Sequence, residues 1–79
     1  MSGIFIRGEL LNKHFKAPTE QSTAYHIYQF QIKNNDGLYL IVNVYSKIEI
    51  ESIELNKEVE LQISVSLFNN QIIYEYKKA

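Results

Sequence analysis

The sequence predicts an all-β chain whose five strands close into one small Greek-key barrel, and three observations predict it. Apolar residues recur with period two through Gly3 to Leu11, Tyr25 to Lys33, Leu38 to Tyr45, Glu58 to Leu67 and Ile72 to Tyr76, the pattern of half-buried strands. Two short turn signals, Asn35-Asp36-Gly37 and Asn69-Asn70, join neighbouring strands as hairpins. Seventy-nine residues suffice for one domain with one modest core, too small for a two-sheet sandwich. Closure into a barrel removes most of the edges that five such strands would leave open.

The first strand sets Ile4, Ile6, Gly8 and Leu10 against Phe5, Arg7, Glu9 and Leu11. An inward Gly8 is unfavourable in a flat strand, but it permits the bending and close backbone approach needed where one strand curves through both halves of a barrel. Asn12 to Ala24, NKHFKAPTEQSTA, loses the period and contains the only proline. It reads as a long loop carrying Lys13, His14, Phe15 and Lys16, and loops of this kind often grip ligands. Phe5 and Phe15 are expected to pack against it.

The central hairpin joins YHIYQFQIK to LYLIVNVY. A two-residue turn at Asp36-Gly37 would set Phe30 opposite Asn43 and mix core with solvent face. A three-residue loop with Gly37 left-handed pairs Ile32 with Leu40, Phe30 with Val42 and Tyr28 with Val44 instead, and is preferred. Leu38, Leu40, Val42 and Val44 then point inward. Lys33 beside Tyr39, Gln31 beside Ile41, Gln29 beside Asn43 and Ile27 beside Tyr45 point outward, forming a platform of amides and aromatics with a basic group at its end.

Ser46 to Lys57, SKIEIESIELNK, mixes spacings of two and three and reads as an irregular connector with one helical turn near Ser52 to Leu55. Glu58 to Leu67 has the cleanest alternation, with Val59, Leu61, Ile63, Val65 and Leu67 inward. An Asn69-Asn70 type I′ turn, which asparagine tolerates, pairs Leu67 with Ile72, Val65 with Tyr74 and Ile63 with Tyr76, so the last strand is expected to bury Ile72, Tyr74 and Tyr76. Lys77, Lys78 and Ala79 are expected to fray.

Composition narrows the function. There is no cysteine, so stability falls to burial of the 46% hydrophobic residues, and a reducing cytoplasm suits the chain. The longest apolar run is Leu38 to Val42, and MSGIFIRGEL lacks the charged start and long apolar segment of a signal peptide, so neither export nor membrane insertion is expected. Net charge is −1 but unevenly spread. Five cations oppose three anions in residues 1–47, and three oppose six in residues 48–79, leaving the basic excess on the half with the exposed aromatics. Ordinary surface charge explains so small an excess equally well.

The order of elements, a glycine-bent first strand, a hairpin, a linking segment and a final hairpin, resembles the OB-fold. Within it, IEIESIELNKEVELQISVSLFNNQIIYEYKK is similar to the connector and last hairpin of the small single-stranded DNA-binding proteins of phages, plasmids and conjugative elements. The resemblance is one of pattern and length. It implies a ligand lying across the outer face of strands two and three, here Tyr25, Ile27, Gln29, Gln31, Lys33, Tyr39, Ile41, Asn43 and Tyr45, with Arg7, Lys13 and Lys16 alongside. Unpaired bases can stack on tyrosine while Lys and Arg neutralise phosphates; duplex DNA offers no free base faces. The chain ends KKA, so recruitment through the acidic, Phe-ended tail of housekeeping single-strand-binding proteins is not expected. It also lacks the clustered glycine and aromatic motif of cold-shock domains, which makes RNA the less favoured ligand.

Each of these residues has a structural reading as well. Outward tyrosines are favoured by β propensity and pair well across strands, and Ile27 and Ile41 fit a homodimer or protein interface equally. Enzyme chemistry finds little support. His14 and His26 lack partners at metal-ligand spacing, and Glu49, Glu51, Glu54, Glu58 and Glu60 read as a solvated face rather than general acid/base machinery. With three glycines there is no phosphate loop or dinucleotide signature. No enzyme activity, metal or cofactor is therefore expected. The expected function is non-catalytic binding of single-stranded DNA with little sequence preference, in replication or in transfer of a mobile element. The rival is a protein-interaction module in which Ile27, Ile41, Tyr39 and Tyr45 form the contact and the acidic second half faces a basic partner.

Overall fold

β1 (Ile4–Lys16) starts where the alternation begins and runs well past Leu11. The computed structural model describes residues 3–33, 35–51 and 53–77. Within them β1 is followed by β2 (Tyr25–Lys33), β3 (Tyr39–Ser46), β4 (Glu58–Phe68) and β5 (Gln71–Tyr76), closed as a barrel in the order β1-β2-β3-β5-β4. Every pairing is antiparallel except β3 with β5. The all-β fold is an OB-fold-like small barrel, as the strand pattern predicts.

The expected long loop is a correction. Asn12 to Lys16 belong to β1, where Asn12 pairs with Gln29 and Lys16 with Tyr25, and only residues 17–24 connect β1 to β2. The register shifts between Leu10 and Asn12. One extra residue, Leu11, reverses which side chains face inward beyond it, so the period read from the sequence breaks while the backbone ladder continues.

The two hairpins form in the predicted registers. Ile32 pairs with Leu40, Phe30 with Val42 and Tyr28 with Val44, with Gly37 at φ 82°. Leu67 pairs with Ile72, Val65 with Tyr74 and Ile63 with Tyr76, through Asn69 and Asn70 at φ 50° and 63°. Two consecutive positive φ values are what a type I′ turn requires.

Ile6, Leu10, Tyr28, Phe30, Val44, Ile50, Leu61 and Ile63 make the core, and Leu10, Phe30 and Val44 are fully sequestered. The core is narrower than the alternation suggests. Leu38, Leu40, Val65, Leu67 and Ile72, expected inside, are exposed, and Tyr74 and Tyr76 are half-buried. The five exposed residues share the inward parity but lie toward the end of the barrel where the seam opens, whereas Tyr74 and Tyr76 pack against the core. Among the described residues β3 and β5 pair only at Val44–Tyr74 and Tyr45–Glu75, and no other described strand covers the inner face further along.

The connector from 47 to 57 is irregular, with no helix among its described residues. A turn at Leu55–Asn56 stands where a helical turn was expected, with Asn56 at φ 63°; Ser52 lies outside the described residues. The connector closes the other barrel end by docking on β1: Asn56 N–H donates to the Leu10 carbonyl at 2.7 Å, and Leu10 N–H to the Lys57 carbonyl at 3.0 Å. Lys77 is tied down rather than frayed, its N–H donating to the Gln62 carbonyl at 2.9 Å. Lys78 and Ala79 lie outside the described residues.

A further bond pins this cap from inside the barrel. The buried Ile50 N–H donates to the Tyr28 hydroxyl at 2.9 Å. A Tyr28→Phe variant keeps the ring but strands a buried donor, which costs about 1–3 kcal/mol. Its melting temperature is expected to fall by roughly 4–24 °C, with the amide of Ile50 exchanging faster than those of β2.

Candidate nucleic-acid interface

The outer faces of β1, β2 and β3 align in rows dictated by register. Asn12, Gln29 and Asn43 form one row and His14, Ile27 and Tyr45 the next, while Lys16 pairs with Tyr25 and Lys33 with Tyr39 at the two ends. Tyr39 and Ile41 are 61% and 54% exposed, and Tyr25, Gln29 and Tyr45 are half-buried. The Tyr25 and Tyr45 rings lie 5.8 Å apart at 52°, a tilted pair that holds both rings against the sheet. Tyr39 and Tyr45 thus face outward as the alternation predicts, opposite Val44 and Phe30 in the core.

Arg7 joins this face from β1. With Lys33, Tyr39 and Gln31 it lines an open depression of about 420 Å³. Arg7 is not a free cation: its guanidinium pairs with the Glu58 carboxylate at 2.7 Å. The hydrogen bond and charge of Glu58 hold Arg7 above its ordinary pKa, so it stays charged but locally neutralised.

Lys13 is not brought to the platform. Beyond the Leu11 bulge it faces inward opposite Tyr28, and its ammonium donates to the Ile53 carbonyl at 2.9 Å, fastening β1 to the connector. Lys16 does reach the outer face beside Tyr25. Sequence reading missed His14 as a platform residue, because its orientation follows from the bulge. Phe15 and His26 pair on the inward side with ring centroids 5.0 Å apart, and Phe5 and Phe15 are both exposed rather than covered by a loop. The two histidines therefore sit on opposite faces of the sheet.

At the far end of the platform, Tyr25, Tyr45, Lys47, Ile73 and Glu75 surround a second depression of about 240 Å³. Glu75 arrives there through its pairing with Tyr45 across the parallel seam, a neighbour that no local pattern reveals. Among the described residues, no three His, Asp or Glu side chains converge as a metal-binding group. No protein-family model matches the chain, and the searches of curated proteins and of solved structures returned no match.

Proposed function

We propose that this chain binds single-stranded DNA with little sequence preference and catalyses no reaction. The observation that carries the reading is one outward face holding Tyr25, Tyr39 and Tyr45 with Gln29 and Asn43 between them, and Lys33 and Lys16 at its ends. From Tyr39 to Tyr45 the strand spans about 20 Å at roughly 3.3 Å per residue. That suits a short site near the lower end of the ~4–16 nucleotides an OB-type barrel covers. Bases stack on the rings, the amides accept or donate to whichever base edge is presented, and the flanking cations meet phosphates. This chemistry needs neither metal nor cofactor. A role in DNA replication or in transfer of a mobile element rests on the resemblance in layout alone.

A titration of labelled oligo-dT at two salt concentrations tests the reading, with oligo-U compared alongside. Binding that weakens as salt rises supports it, and tighter binding to oligo-dT than to oligo-U supports DNA over RNA; no binding at either salt sinks it. Glu58→Gln supplies a directional check. Releasing Arg7 from its carboxylate partner is expected to tighten binding several-fold and to steepen the log–log salt slope by about 0.7, one extra phosphate contact on a single strand.

The exposure of Ile41 next to Tyr39 favours a second reading, a protein-interaction module using Ile27, Ile41, Tyr39 and Tyr45. It predicts a chain indifferent to oligonucleotides at any salt.

A further inference from the structure

The β4–β5 hairpin outruns the barrel. β1–β4 pairing ends at Ile4–Ile63 and β3–β5 pairing begins at Val44–Tyr74, yet β4 and β5 stay paired out to Phe68–Gln71. Residues 64–68 and 71–73 therefore form a two-stranded arm whose outer edges pair with no other strand among the described residues. Its inner face presents Val65, Leu67 and Ile72 at 45%, 70% and 59% exposure. At its base, where Val65 pairs with Tyr74, lies an opening of about 300 Å³ lined by Ile4, Leu40, Ile63 and Tyr74 among others.

Such an arm is unfavourable in a lone chain. A two-stranded hairpin is marginal in water without a covered face, and exposed edges are ordinarily guarded by charge, especially lysine. This arm has no such guard: Leu61 to Tyr74, LQISVSLFNNQIIY, contains no charged residue in a chain that is 22% charged. Loss of charge with retention of aliphatic surface is the composition of an interface core. Large aliphatic side chains left 45–70% exposed side by side on one uncharged arm form the kind of contiguous apolar surface that marks a contact with another chain.

We propose that the arm is the contact between two copies of this chain, related by a two-fold axis, with Val65, Leu67 and Ile72 of each copy covering those of the other. A neutral arm suits a second copy of itself because two identical surfaces meet without like-charge repulsion. A basic or acidic partner would find nothing to pair with. An isologous contact also closes on itself, so an unguarded edge yields a dimer rather than a fibre. The outward platform on β2 and β3 stays open in both copies, and the inference is independent of what that platform binds.

Sedimentation equilibrium from low to high micromolar concentration tests this. The wild-type chain is expected at twice the single-chain mass. Leu67→Lys and Ile72→Glu, each at a highly exposed position, are expected to keep the fold by circular dichroism and to raise the monomer–dimer dissociation constant by about tenfold or more. A wild-type chain that stays monomeric throughout overturns the proposal, as does recovery of the monomer bound through this arm to a different protein. Folded variants that dimerise as tightly as wild type overturn it too, since the contact would then lie elsewhere.

Discussion

A Tyr39→Ala, Tyr45→Ala double variant is expected to lose between roughly thirty-fold and twenty-thousand-fold of its affinity for oligo-dT. Base–aromatic stacking is worth about 1–3 kcal/mol per ring, two rings are removed, and each 1.4 kcal/mol is about tenfold. The salt slope should barely change, because Lys33, Lys16 and Arg7 are untouched and the slope counts phosphates rather than rings. Fold should survive. Tyr39 projects into solvent, and removing an outward cross-strand partner costs only about 0.2–1 kcal/mol per pair, so circular dichroism and melting serve as controls. A folded double variant that binds as well as wild type would remove stacking from the mechanism.

A comparable loss of stability is expected from one added methyl group. A Cβ at Gly8 would lie 2.5 Å from the Gln31 carbonyl oxygen and 3.1 Å from Ile32 Cγ1. The obstructing atom is backbone inside a paired strand, so relief requires moving the β1–β2 crossing itself. Overpacking of this kind costs about 1–3 kcal/mol, against which the entropic gain of Gly→Ala is only about 0.4–1 kcal/mol, so the clash wins. Gly8→Ala is expected to lower the melting temperature, by up to roughly 20 °C at the upper end of these costs. Gly3→Ala is the internal control. Its added methyl meets the end of the Gln62 side chain, which can swing aside, so little change is expected. Equal melting of the two variants would mean that the close approach at Gly8 is not a constraint on the barrel.

Much of this molecule was legible from local rules. Both hairpin registers follow from turn chemistry, since Gly37 supplies one left-handed residue in the first turn and Asn69-Asn70 supply two in succession in the second. The parity of the platform follows too, because side chains alternate strictly and a slip of one residue would have put Phe30 into solvent. Arg7, Tyr25, Gln29, Lys33, Tyr39, Asn43 and Tyr45 all lie on the outer face in consequence, while Lys16 reaches it only because the Leu11 bulge reverses the parity of β1. Lys13 does not. Its orientation depends on the bulge at Leu11, and the residue count of a bulge is set by how β1 must bend to pair with both β2 and β4. The same bend is why a stretch that looks like loop is strand.

What the sequence by itself determined is local: which residues alternate, where the chain reverses, and which side of each strand is apolar. Those properties depend on neighbours within a few positions, where sterics and side-chain chemistry act directly. Only the tertiary structure decided how far each apolar stripe is covered, that Lys13 fastens the connector while His14 joins the platform, and that Glu58 neutralises Arg7 from fifty-one positions away. Coverage, pairing partners and charge neutralisation between distant residues depend on where the barrel closes. Closure is a compromise among all five strands at once, and no single stretch of the chain encodes it.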